Sequence, residues 1–166
     1  MVHSGNATSV ATRIGVDMKH QIETHIDIAA PPETVWNILT DLDAYSDWNP
    51  FVVSATGRVA VGERLTNRMQ SPGGRAMTFK PTVTAADPEQ KFEWLGHLVL
   101  PGVMDGRHTF QLHATEVGTR LTHGESFNGI LVRIIRKSLD NETVEGFKAM
   151  NEALKTRAEA HGGNQS

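Results

Sequence analysis

Ala30-Pro31-Pro32-Glu33-Thr34-Val35-Trp36, running on to Asp41-Leu42-Asp43-Ala44-Tyr45-Ser46-Asp47-Trp48-Asn49-Pro50-Phe51, is the stretch that decides how this chain is read. The two prolines stop any strand that reaches them. A proline also suits the first turn of a helix, where its missing N–H would have had no partner. Val35, Trp36 and Leu39 then share one face of a short helix. Asp41 to Asp47 reads as a second short helical segment, ended at Asn49-Pro50 because the residue before a proline avoids the helical region.

On the N-terminal side, Ile22, Thr24, Ile26 and Ile28 alternate with Gln21, Glu23, His25 and Asp27, the pattern of a half-buried strand. Residues 1–19 are small and polar without a sustained period and are expected to form a flexible leader. On the C-terminal side, turn signals at Gly57 to Gly62, Ser71-Pro72-Gly73-Gly74, Asp87-Pro88-Glu89, Pro101 to Gly106 and Val117-Gly118 divide the chain into six short segments. With the first strand these predict seven strands, antiparallel because the connections are too short for crossover helices. After Gly129 the period becomes helical. Leu139, Thr143, Gly146, Phe147, Met150 and Leu154 form one stripe, and Asn141, Glu145, Lys148, Glu152 and Lys155 form the solvated face. The stop falls at His161-Gly162-Gly163, with 161–166 expected as a loose tail after a single domain over 20–160.

The 166 residues suit one domain with a core of its own, and 39% apolar with 21% charged residues is ordinary for a globular chain. The absence of cysteine removes disulfides, thiolate nucleophiles and sulfur-ligated metals, and makes the cytoplasm the default expectation. No apolar run approaches the ~20 residues of a membrane span. A net charge of −3 with dispersed basic residues gives no footprint for nucleic acid. Gly-x-Ser-x-Gly is absent, and Ser71-Pro72-Gly73-Gly74 lacks the lysine and following helix of a phosphate loop.

The order of strand, two short helices, meander and long C-terminal helix resembles the START-like (SRPBCC) superfamily, which includes birch-pollen-allergen-like, polyketide cyclase/dehydrase and lipid-transport proteins. The resemblance is carried by the 30–51 stretch. Gly106-Arg107-His108-Thr109-Phe110 and Thr122-His123-Gly124-Glu125-Ser126-Phe127-Asn128-Gly129 support it, being similar to the last hairpin of many members. It implies an α+β helix-grip fold, a curved antiparallel sheet around the long helix with a deep cavity between them. That cavity would hold a small hydrophobic or aromatic ligand. Members use it for carriage, sensing or cyclisation, and fold alone does not choose among these.

The last hairpin supplies the candidate chemistry. A turn at Val117-Gly118 would pair Glu116 with Thr119 and set Leu112 opposite His123, Phe110 opposite Glu125 and His108 opposite Phe127, all on one largely apolar face. His108, His123 and Glu125 would then be polar groups inside an apolar interior, where polar groups are usually paired. In this register the two histidines lie ~13 Å apart at ~3.3 Å per residue, too far to share a metal, while Glu125 sits diagonally from His108. The trio reads either as acid–base groups for a bound carbonyl or hydroxyl or as structural groups that satisfy one another.

Phe92, Trp94, Phe110 and Phe127 on the sheet, with Phe147 and Met150 on the helix, are the candidate walls, and Tyr45, Trp48 and Phe51 the candidate mouth. Neither metal nor cofactor is implied, and the chain is expected to act as a monomer or homodimer. Two functions stay open, a carrier or binder of an apolar molecule and a cyclase or dehydratase using Glu125 with His108 or His123. A co-chaperone-like or toxin-type interaction domain would need a large exposed apolar patch that the pattern does not supply.

Overall fold

The alternation that opens the folded region becomes strand β1 (Lys19–Ile28), with Ile22 and Ile28 buried and Gln21, Glu23, His25 and Asp27 exposed. A computed structural model describes residues 19–98 and 100–162, and it leaves out the side chains of Arg133, residues 135–140 and Gly162. The leader expected over 1–19 and the tail expected over 161–166 therefore lie outside the described residues. The exceptions are Lys19, which opens β1, and His161 and Gly162, which close the last helix.

Helix α1 (Pro32–Thr40) starts at the proline pair and buries Val35, Ile38 and Leu39. A 3-10 turn (Leu42–Ala44) and the single-turn α2 (Tyr45–Trp48) follow. Asn49 ends the pair with its side chain: Oδ1 accepts the N–H groups of Phe51 at 3.0 Å and Val52 at 2.9 Å. This fixes the angle at which the chain leaves the helices for the sheet.

Strands β2 (Val52–Thr56), β3 (Thr66–Met69), β4 (Met77–Phe79), β5 (Thr82–Asp87), β6 (Lys91–His97), β7 (Asp105–Thr115) and β8 (Gly118–Asn128) follow. The described residues thus hold eight strands, not seven, and they form a five-stranded sheet, β1-β8-β7-β6-β5, and a three-stranded sheet, β2-β3-β4. The correction lies at Lys80-Pro81, which divides the segment after Gly74 into β4 and β5. A proline has no N–H to give to a ladder. The two sheets are stitched beside this break, where Leu65 N–H donates to Pro81 O and Val83 N–H to Glu63 O, each at 2.9 Å.

The β7–β8 hairpin also departs from the expected register. Thr115 pairs with Gly118, so the turn is Glu116-Val117, and His108 lies opposite Glu125 and Phe110 opposite His123. The pairing has slipped by two residues, which keeps every side chain on its expected face but changes its neighbours. Gly118 has φ +148°, and a Cβ there would lie 2.2 Å from Ile28 O. This glycine serves the close approach of β1, which leaves the turn to its neighbours.

Helix α3 (Val132–Gly162) has 31 residues and so spans roughly 46 Å. It packs on β1, β8 and α1. Thr143, Gly146, Phe147, Met150 and Leu154 are buried along the expected stripe, and the stripe's Leu139 lies among the side chains outside the description. A Cβ on Gly146 would lie 2.3 Å from the Phe51 ring, so this glycine is the notch that admits Phe51, which also meets Phe147 edge-on at 5.6 Å. The long helix held against a curved antiparallel sheet, with two short helices after the first strand, is the helix-grip arrangement.

On the convex face Glu93 is buried among Lys91, Thr84, Arg107 and Thr109, and both carboxyl oxygens are hydrogen-bonded. Burial pushes its pKa up, but hydrogen bonds from Lys91, Thr84 and Arg107 outweigh this and bring it down to about 2.

Candidate functional site

Along the inner face of β6 and β7 the side chains shrink abruptly. Phe92 and Trp94 are followed on their strand by Gly96, and Phe110 and His108 are preceded on theirs by Gly106, with Gly96 and Gly106 paired across the ladder. Bulky rings fill one end of the fold and two glycines empty the other. A cavity of about 250 Å³ opens there, between the end of the large sheet, the small sheet and the first half of α3. Phe51, Phe79, Trp94 and Phe127 wall it, with Met69, Met77 and Met104. Methionine gives such a wall adaptable packing. Exposed lining residues, among them Arg75, Met77, His97 and Glu142, mark its open side.

Polar side chains also reach this wall, among them Thr143 on α3, Asn67 and Glu125. Asn67 is buried on β3, and its Oδ1 has no hydrogen-bond partner. Glu125 has a side chain only 14% exposed and lies over Gly106, where a Cβ would come within 2.5 Å of Oε1. The glycine therefore makes room for the carboxyl group.

Behind Glu125 stands a chain of groups, buried at His108, His123 and Asn151 and half-buried at Thr24. Glu125 Oε2 lies 3.4 Å from His108 Nδ1, a contact close enough for an ion pair but without the alignment of a hydrogen bond. His108 Nε2 meets His123 Nε2 at 2.7 Å, and His123 Nδ1 lies 2.8 Å from Asn151 Oδ1 on α3. Asn151 Nδ2 donates to Thr24 Oγ1 at 2.9 Å, and Thr24 Oγ1 donates to the His123 carbonyl at 3.2 Å. Both histidines are fully buried between rings: Trp94 stacks on His108 at 4.6 Å and Phe147 on His123 at 3.8 Å. Burial holds the His123 pKa well below the usual imidazole range, His108 opposes its charge further, and the Asn151 hydrogen bond offsets this only in part.

The structure brings the sequence-derived trio together more closely than the sequence register allowed. His108 and His123 touch instead of standing ~13 Å apart, because the two-residue slip moves His123 opposite Phe110, one inward position from His108. Their facing nitrogens leave no room for an ion between them, and among the described residues no three His, Asp or Glu side chains converge as a metal site.

Of the expected wall and mouth residues, Phe51, Trp94 and Phe127 line the cavity. Phe92, Phe110, Phe147 and Met150 are wholly buried in the solid core behind the histidines. Tyr45 is not at a mouth: it is buried, its hydroxyl donates to Leu39 O at 2.7 Å, and burial pushes its phenol pKa up. Trp48 packs edge-on against Tyr45 at 5.2 Å and borders a separate cleft with Asp41, Arg157 and His161. These two rings bind the helix pair together, and neither lines the cavity.

Asn67 and Asn151 escaped the sequence reading. Each had a signal, however. Asn67 and Met69 alternate with the outward Arg68, and Asn151 stands four residues after Phe147 and three before Leu154 on the apolar stripe.

Fold and site together define a helix-grip protein with a lined internal cavity. The family model described as polyketide cyclase/dehydrase and lipid transport matches residues 19–159, and the chain belongs to that family. A comparison with curated proteins returns no match. Among solved structures, a Mesorhizobium loti protein is 21% identical with a TM-score of 0.67, covering 85% of this chain and 98% of its own. The di-domain ARO/CYC StfQ from the steffimycin biosynthetic pathway is 16% identical with a TM-score of 0.73 over 89% of this chain, which spans 53% of StfQ. A hypothetical protein of Helicobacter pylori is 12% identical with a TM-score of 0.72 over 95% of this chain and 99% of its own. At these identities the likeness is one of fold.

Proposed function

We propose that the protein binds a small, flat, largely apolar molecule of the aromatic polyketide kind in the cavity beside Gly106, with a polar group of that molecule against Glu125. The observation that carries this reading is the cavity itself, walled by four aromatic rings and three methionines with a carboxyl group set into the wall. At about 250 Å³ it falls just below the ~300–1,000 Å³ usual for ligand sites, which favours a compact ring system over a long acyl chain. The family description covers both cyclisation and transport, and StfQ is named as a di-domain ARO/CYC of the steffimycin biosynthetic pathway. Calorimetric titration with naphthol and with naphthalene tests the reading. Binding of both, with naphthol tighter, is expected, and a protein that takes up neither overturns it.

A second reading, an enzyme of the cyclase or dehydratase type, is favoured by one contact, the 3.4 Å approach of Glu125 to His108. In that reading Glu125 exchanges a proton with the ligand and His108 is its partner. Turnover of a polyketide substrate that is unaffected by Glu125→Gln and by His108→Ala would remove it.

A further inference from the structure

We infer that Asn151, which lies outside the cavity on α3, is a positioning residue that dictates where the protons of the His108–His123 pair reside and leaves His108 Nδ1, facing Glu125, as the pair's one open proton site. This rests on the reading of Glu125 as the polar group of the ligand cavity, and it adds the residues that govern the carboxyl group from behind.

The argument is one of hydrogen-bond valence. Thr24 has a single hydroxyl proton, which it gives to the His123 carbonyl, so it must accept from Asn151, and the amide can do this only through Nδ2. Asn151 therefore turns Oδ1 toward His123. An amide oxygen accepts only, so His123 Nδ1 carries the proton of that 2.8 Å hydrogen bond. In a neutral imidazole the other nitrogen is then bare, and full burial between Phe110 and Phe147 keeps His123 neutral. The 2.7 Å contact between the two Nε2 atoms needs one proton, and that proton belongs to His108.

His108 thus has Nε2–H committed inward. Its Nδ1 has no hydrogen-bond partner and lies 3.4 Å from Glu125 Oε2. A proton reaching the pair can bind only there. A proton taken from a ligand hydroxyl or acidic C–H would leave its electron pair on the ligand, and within the pair the bare His108 Nδ1 is the atom that would receive it. The charge would come to rest on His108 and not on His123, and the reverse transfer would return it. The four groups form a one-proton store with its opening toward the cavity.

Imidazole nitrogen NMR on the full chain, without any ligand, tests this. The expected spectrum shows His123 protonated at Nδ1 with a bare Nε2, and His108 protonated at Nε2. Asn151→Asp, which keeps an acceptor, retains the pattern. Asn151→Leu, in protein whose amide spectrum shows a native fold, releases His123 to carry its proton on Nε2. Wild-type protein with the His123 proton on Nε2, or an unchanged pattern in folded Asn151→Leu, overturns the inference. Because no ligand enters the measurement, its failure is distinct from a failure of the binding titrations. If Asn151→Leu does not fold, the wild-type and Asn151→Asp spectra still decide.

Discussion

His108 and His123 meet Nε2 to Nε2 at 2.7 Å where β7, β8 and α3 converge, and neither exposes any surface to solvent. A pair buried in this way makes stability depend on pH. The folded protein keeps His123 neutral, whereas in the unfolded chain it titrates near 6.5. Between its lowered folded-state value and 6.5 the unfolded chain therefore binds a proton that the folded protein refuses. Stability from this group is complete above 6.5 and is lost as the pH falls below it, by up to ~1.4 kcal/mol per pH unit. Urea melts of wild type from pH 7.5 to 5 should show that decline and His123→Gln a shallower one. A flat wild-type profile would refute it.

Gly106→Ala separates the site from the fold. The added methyl would collide with Glu125 Oε1 and otherwise meet only ordinary contacts, the next being Glu125 Cδ at 3.6 Å and Phe127 Cε1 at 3.7 Å. The far end of a flexible side chain yields cheaply, and the backbone here needs no positive φ, so stability should change by less than ~1 kcal/mol. The carboxyl group, however, must leave its seat beside His108. Naphthol affinity should fall about tenfold, or roughly 1.4 kcal/mol, while the melting temperature stays near wild type. Unchanged affinity in the folded variant would show that the position of Glu125 is irrelevant to binding.

The fold was legible because its signals are local: proline punctuation at 31–32, period-two alternation in β1 and the apolar stripe of α3 each follow from residues close in sequence. The inward face of the β7–β8 hairpin was legible for a related reason, since a slip of two residues leaves faces unchanged. What the sequence hid was the neighbour relation. Gly118 looks like a turn residue, yet it is required by β1, a strand about ninety positions away, and no hairpin rule registers that demand. The cavity was expected, but its place was hidden likewise, because it opens where Gly96 and Gly106 face each other, and a gap between strands belongs to no single segment.

Gly146→Ala sets two effects against each other. In a helix interior alanine is favoured over glycine by ~1 kcal/mol. At this position the methyl would lie 2.3 Å and 2.5 Å from two carbons of the Phe51 ring, which is held against Phe147 and cannot simply swing out. Overpacking of this kind costs ~1–3 kcal/mol, so the net change should be a destabilisation of about 1 kcal/mol. Combining it with Phe51→Leu should recover part of the loss in thermal melts. A Gly146→Ala variant more stable than wild type would mean that the notch is not needed.

Glu93→Gln probes the convex face, away from the cavity. A carboxyl group brought from 4.5 to about 2 stabilises the fold above pH 4.5 and loses that contribution as the pH falls toward 2. The full depression corresponds to roughly 3 kcal/mol, but Lys91 and Arg107 are 34% and 43% exposed and regain water when the charge is removed. The net loss at pH 7 should therefore be nearer 1–2 kcal/mol. The variant's stability should also fall less steeply than wild type between pH 5 and pH 3, because the group that gains a proton on unfolding is gone. Parallel acid limbs for the two proteins would show that Glu93 is not held ionised by its neighbours.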